Sequence, residues 1–168
     1  MKPNPRILLS LGIALLGVLV FSGCGKSPDA APPEEKAKSN LPVKEIEVTG
    51  DDQMKFNITK IEAQPRQRVT LIFKNVGTMP KESMGHNFVL LKPGTDVAAF
   101  IEAGFASAST DYVAEEVKNQ VIAKTKILGP GESVTLNFTA PSEPGTYTYV
   151  CTFPGHQAAG MQGILVVQ

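Results

Sequence analysis

From residue 41 onward the chain is cut into short runs in which apolar and polar side chains alternate, the period-two pattern of strands with one buried face. Residues 43–48 open the series, and Met54, Phe56 and Ile58 then alternate with Lys55, Asn57 and Thr59. Val69, Leu71 and Phe73 share one face of residues 68–76, closed by the turn signal Asn75-Val76-Gly77. A fourth strand is predicted over residues 86–92, ended by Pro93-Gly94. Residues 122–128, 133–139, 146–151 and 163–168 complete eight, with Gly129-Pro130-Gly131 and Pro144-Gly145 as turns. Between the fourth and fifth runs the period changes. Val97, Phe100 and Ile101 recur at helical spacing behind Asp96, as do Tyr112, Val113, Val117 and Val121. The expected architecture is all-β, an antiparallel sandwich or barrel of eight short strands with a partly helical flap that covers a sheet and carries no chemistry.

The segment before residue 41 follows neither period. Lys2 and Arg6, the apolar run 7–21 and the small residues before Cys24 read as a targeting leader. A cysteine directly after Ser22-Gly23 resembles the bacterial lipobox, in which that cysteine is lipidated and begins the mature chain. An uncleaved membrane anchor and an ordinary signal peptide with a spare cysteine are the other readings. All of them place the domain outside the cytoplasm. Residues 25–40, rich in Ala, Pro, Glu and Lys, cannot bury enough apolar surface to fold and read as a tether, which as a coil reaches roughly 20–25 Å. The expected organisation is a leader over 1–23, lipidated Cys24 and tether over 24–40, and one domain over 41–168. A multiply acylated terminus would hold that domain stably on a bacterial membrane, on its periplasmic or cell-surface side, since each buried methylene contributes about 0.8 kcal/mol.

Cysteine usage changes the picture further. With Cys24 in the anchor, Cys151 is the one thiol left, in a compartment where thiols usually pair. No internal disulfide is possible, and a bound metal would occupy the sulfur; an inert buried cysteine is the plainer reading. Cys151, His156 and Met161 stand five residues apart and then five again, between two apolar runs. Thiolate and thioether sulfur select copper, zinc or iron, and one Cys, two His and a Met form the blue-copper electron-transfer arrangement. The chain has one other histidine, His86, to supply the second imidazole. Structural zinc normally takes four Cys or His ligands, and only three are available.

Met84-Gly85-His86-Asn87 together with Cys151-Thr152-Phe153-Pro154-Gly155-His156 resembles the azurin and auracyanin branch of the cupredoxins, and the similarity runs from about Val43 onward, including Val121-Ile122-Ala123-Lys124-Thr125-Lys126. The resemblance implies an eight-stranded Greek-key cupredoxin β-sandwich with a flap. It implies one copper ion, cycling between Cu(I) and Cu(II), held by His86, Cys151 and His156 in a trigonal plane. Met161 would be a long axial ligand, and the Gly85 carbonyl would approach from the other side. Asn87 would bridge the ligand segments, and the Phe153 amide would donate toward the Cys151 sulfur. Met84, Phe153, Pro154, Ala158 and Ala159 would form an apolar docking patch around an exposed edge of His156; ordinary loop packing is the competing account of those five. Four residues separate His156 from Met161, one more than in azurin, and this longer loop looks like auracyanin's. Azurin's disulfide is absent.

The remaining composition mostly excludes. Formal net charge is zero, and without Lys2 and Arg6 the 16 basic residues fall to 14 against 16 acidic ones, with no basic patch to suit nucleic acid. Both histidines are used by one centre, so a second, catalytic copper has no imidazoles, and a nucleophilic Cys151–His156 pair has no orienting acid in its loop. The expected function is a membrane-tethered, non-enzymatic carrier of single electrons between redox protein partners, acting as a monomer. The alternative is a copper-binding module for delivery or storage.

Overall fold

The computed structural model describes residues 40–168. The expected leader, the lipidation site Cys24 and all of the tether but Asn40 lie outside the described residues.

Eight strands form two sheets. β1 (Lys44–Gly50), β3 (Arg68–Asn75) and β6 (Ser133–Thr139) make a three-stranded sheet in the order β1-β3-β6. β2 (Lys60–Ala63), β4 (Val89–Leu91), β5 (Val121–Lys124), β7 (Gly145–Val150) and β8 (Gln162–Val167) make a five-stranded sheet in the order β2-β8-β7-β4-β5. Four of the strand pairs are antiparallel, as expected, but β1 pairs with β3, and β2 with β8, in parallel. Parallel neighbours need a connection that crosses over, and both pairs have one.

The alternating positions fill the space between the sheets. Val48, Val69, Leu71 and Phe73 from one sheet meet Ile61, Leu90, Tyr149 and Leu165 from the other in one buried cluster. β4 is buried on both faces, which explains its unbroken apolar run. Leu90 enters the main core, while Val89 and Leu91 join Phe100, Ile101, Val113 and Val150 beneath the flap. The flap contains α2 (Val97–Gly104), whose Asp96 side chain caps the Ala99 amide at 3.1 Å. The helical spacing over residues 111–121 becomes only a 3₁₀ turn, Glu115–Gln120, because Asp111 and Tyr112 take left-handed φ values of 61° and 58°.

One predicted strand is absent. Residues 51–59 form turns, with Met54 at φ 56°, and the strand lies further on, at β2. The alternation there has another origin. Phe56 makes an isolated bridge to Gly50 and inserts its ring edge-on against Phe73, Phe88 and Tyr149, closing one end of the core.

Candidate metal centre

Two segments bring the chemistry together. The first follows α1 (Lys81–Met84), a single helical turn that delivers Gly85 and His86 to the sheet. His86 bonds Leu128 through both its backbone groups, N–H to O at 3.1 Å and O from N–H at 2.7 Å. Asn75 then donates through Nδ2 to the Leu128 carbonyl at 3.0 Å. Gly85 is buried, and a Cβ there would stand 2.5 Å from Ile127 Cγ2 and 2.7 Å from the Lys81 carbonyl, so only glycine fits.

The second segment is the loop from the end of β7 to the start of β8. It folds on itself: the amides of His156, Ala159, Gly160 and Met161 donate to the carbonyls of Phe153, Gly155, Gln157 and His156, and Cys151 N–H closes the base on Met161 O at 3.1 Å. Gly155 and Gly160 supply the positive φ values, 85° and 90°, that such tight reversals demand.

Asn87 joins the two. Its Oδ1 accepts the Thr152 amide at 2.9 Å, and its Nδ2 donates to Thr152 Oγ1 at 2.8 Å and to the Asp111 carbonyl at 3.3 Å. Thr152 Oγ1 in turn donates to that same carbonyl at 2.7 Å, which ties the flap to both segments. Asn87, next to His86 in the chain, is thus hydrogen-bonded to the loop at Thr152 and to the flap at Asp111.

His86, Cys151 and His156 converge as a result. Their donor atoms lie within 4.8 Å of one another, all three residues are buried, and they form the one group of this kind among the described residues. Nδ1 of His86 and Nδ1 of His156 are 3.1 Å apart, and the Cys151 Sγ is 4.0 Å from the first and 3.4 Å from the second. Met161 is fully buried beside them: its Cε and the His86 ring both crowd the position where Gly50 would carry a Cβ.

Electrostatics match this donor set. Burial pushes the Cys151 thiol up to about 12, against the backbone N–H groups of Asn87 and Phe153, which are aimed at the sulfur and pull the other way. Burial, and then the neighbouring His86, push His156 down to about 4. Burial also lowers His86, opposed by the Asp51 carbonyl and the Asp51 and Asp52 carboxylates, while its Nε2 is buried and makes no hydrogen bond within ordinary limits. Without a cation the centre is thus a neutral thiol and two neutral imidazoles, their rings tilted by 48° at a centroid distance of 4.8 Å. Two nitrogens and a sulfur with lone pairs converging on one small buried space, and no carboxylate among them, fit a soft late transition metal.

The docking face differs from its expectation in two respects. Pro154, Ala158 and Ala159 are exposed and Met84 is half-buried, but Phe153 is only 8% exposed and His156 only 2%. Phe153 lies between Tyr112, which it meets edge-on, and the tilted ring of His156, at ring-centroid distances of 5.3 and 4.7 Å, so its surface is spent inside the molecule. Sequence reading missed Thr152 and Asp111, whose roles depend on contacts far apart in the chain.

Comparison with known proteins agrees with this geometry. Residues 43–168 match the family model for copper binding proteins of the plastocyanin/azurin family. The chain is 39% identical over 113 residues to outer membrane protein H.8 of Neisseria meningitidis, covering 66% of this chain but 61% of that protein's length. It is 36% identical over 127 residues to azurin of Pseudomonas aeruginosa, covering 73% of this chain and 84% of azurin. Among solved structures, reduced auracyanin of Roseiflexus castenholzii superposes with a TM-score of 0.66 at 36% identity, over 74% of this chain and 97% of the other. A family match across most of the chain, joined to a buried His-Cys-His centre, makes this protein a member of the plastocyanin/azurin family, an azurin- and auracyanin-like cupredoxin whose cofactor is one copper ion.

Proposed function

We propose that the chain is a one-electron carrier whose copper would be held by Nδ1 of His86, Sγ of Cys151 and Nδ1 of His156, with the Met161 thioether and the Gly85 carbonyl as further, weaker donors. The observation that carries this reading is the convergence of three buried donors within 4.8 Å. When bound, the copper supplies a single-electron couple, Cu(I)/Cu(II).

The rest of the work falls to the protein. Cys151 has to release its proton on binding, and the Asn87 and Phe153 amides are placed to take up the charge left on sulfur. His86 and His156 are already neutral, as nitrogen ligands must be. The Leu128 bridge and the Asn87 joint hold both segments in place, so little rearrangement accompanies a change of charge. Pro154, Ala158 and Ala159, with Met84 at their side, form a small apolar face around the loop of His156 that suits brief contact with a redox protein. The two histidines of the sequence are both in this centre, which leaves none for a second, catalytic copper and supports a carrier rather than an enzyme.

The leader pattern and Cys24 support an exported, lipid-anchored monomer meeting its donor and acceptor at a membrane surface. The naming of the H.8 relatives as outer membrane proteins is in keeping with that placement. The experiment is an absorption spectrum of the copper-loaded protein before and after ascorbate. An intense thiolate-to-copper band that bleaches reversibly is expected; a colourless Cu(I) protein that hands its metal to an acceptor would sink the carrier reading in favour of delivery. Mass spectrometry of the native N-terminal peptide tests the anchor, which fails if Cys24 is unmodified.

A further inference from the structure

We propose that the turn over residues 50–55 positions the Met161 thioether, through the missing side chain of Gly50 and the ammonium of Lys55. The proposal rests on the reading of Met161 as the axial ligand.

A Cβ added to Gly50 would stand 2.7 Å from Met161 Cε and 3.1 Å from Cγ and Cδ2 of His86. The Met161 methyl and the His86 ring therefore meet over bare backbone, and any larger residue drives one of them away. His86 is pinned to Leu128 through both backbone groups, whereas Met161 has an unbranched, adaptable side chain, so the thioether is the group that yields.

Lys55 acts on the same ligand from the main chain. Its Nζ donates to the Ala159 carbonyl at 2.8 Å, across 104 positions of sequence. Ala159 lies two residues before Met161, and the intervening Gly160 carries φ 90° with Lys55 Nζ 3.3 Å from where its Cβ would be. The other main-chain bonds of residues 156–160 stay within the loop. A charge-assisted bond from outside thus fixes the third carbonyl of the four-residue spacer 157–160, which left alone has more conformations than a shorter one. The turn is itself held. Asp51 Oδ1 accepts the amides of Gln53 and Lys55 at 3.0 and 3.1 Å, and the Met54 amide donates to Asp51 O at 3.0 Å.

The test uses Lys55→Met, Lys55→Arg and Gly50→Ala beside Met161→Leu. In the copper-free protein, Lys55→Met is expected to speed amide hydrogen exchange at Gly160 and Met161 about fivefold, the loss of one hydrogen bond, with β3 and β6 amides unchanged and Lys55→Arg restoring protection. In the copper-loaded protein, Gly50→Ala is expected to shift the reduction potential in the direction of Met161→Leu, and by much less once Met161 is already Leu. Unchanged exchange in Lys55→Met, or a Gly50→Ala shift that persists undiminished beside Met161→Leu, overturns the proposal. If Met161→Leu alone changes neither spectrum nor potential, the ligand reading falls and this one with it. If Met161→Leu acts while the turn variants are silent, the positioning role alone falls. Lys55 is exposed, so its variants carry the test where Gly50→Ala fails to fold.

Discussion

The two ligand-bearing segments reach the same point by different means. The His86 segment is part of the sheet framework: its backbone is bonded to Leu128, and Asn75 braces Leu128 from the neighbouring sheet. The 151–161 loop is nearly self-contained, with local turns inside and three outside ties through side chains, Asn87 to Thr152, Thr152 to the Asp111 carbonyl and Lys55 to Ala159. Their surroundings differ in charge as well. Asp51 and Asp52 lie near His86, whereas His156 feels burial and His86 itself. A framework ligand is placed by the fold, and a loop ligand by a few bonds. Changes of loop length are therefore absorbed by the second segment without disturbing the first.

Removing the atom that both segments share gives the largest effect: Cys151→Ser is expected to abolish the intense visible absorption, and a retained blue or green band would place the sulfur elsewhere. Next, Asn87→Ala cuts the joint and leaves the buried Thr152 amide without its partner. That is expected to cost about 2 kcal/mol in urea unfolding of the copper-free protein; a change near zero would mean that the loop holds itself. A smaller effect is expected at the far end of the loop, where Met161→Leu keeps the colour and raises the reduction potential. An unaltered potential and spectrum would remove Met161 from the ligand set.

Acid gives the finest discrimination between the segments. The unfolded chain protonates its histidines near 6.5, while the folded His156 holds off until about 4. The copper-free fold therefore has its full stability above 6.5, loses part of it as pH falls through this window, and loses no more on this account below about 4. NMR titration of the His156 ring is the check. In His86→Gln the midpoint is expected to rise, because the neighbouring imidazolium that opposes a second charge is gone. A midpoint unmoved by that substitution would show that burial alone sets it.

Much of this was legible in the sequence where one face of a strand is buried and the other wet. Val69, Leu71 and Phe73 in β3, and the alternation of β6, declared themselves in this way. So did the ligand trio, because rare residue types at fixed spacing need no register to be noticed. Residues 54–58 misled for a physical reason. A buried Phe56 flanked by half-buried Met54 and Ile58 has the period of a strand although the backbone turns at Met54. The parallel pairings were not legible, since side-chain alternation is the same in both directions. Nor were the contributions of Gly50, Lys55 and Asp111, whose partners lie far along the chain or are backbone atoms without a sequence signature.

The position of β8 sets the order of events when the protein is made. It lies between β2 and β7 and follows both in the chain, with Ile61 opposite Leu165, 104 residues later (165 − 61). β2, at the edge of its sheet, has no neighbour until residues 162–167 are in place. Met161 directly precedes β8, and Cys151 closes its loop on the Met161 carbonyl. An emerging chain that already displays His86 thus offers a lone imidazole and no cage. The five-stranded sheet and the base of the loop that carries Cys151 and His156 are therefore completed by one and the same strand.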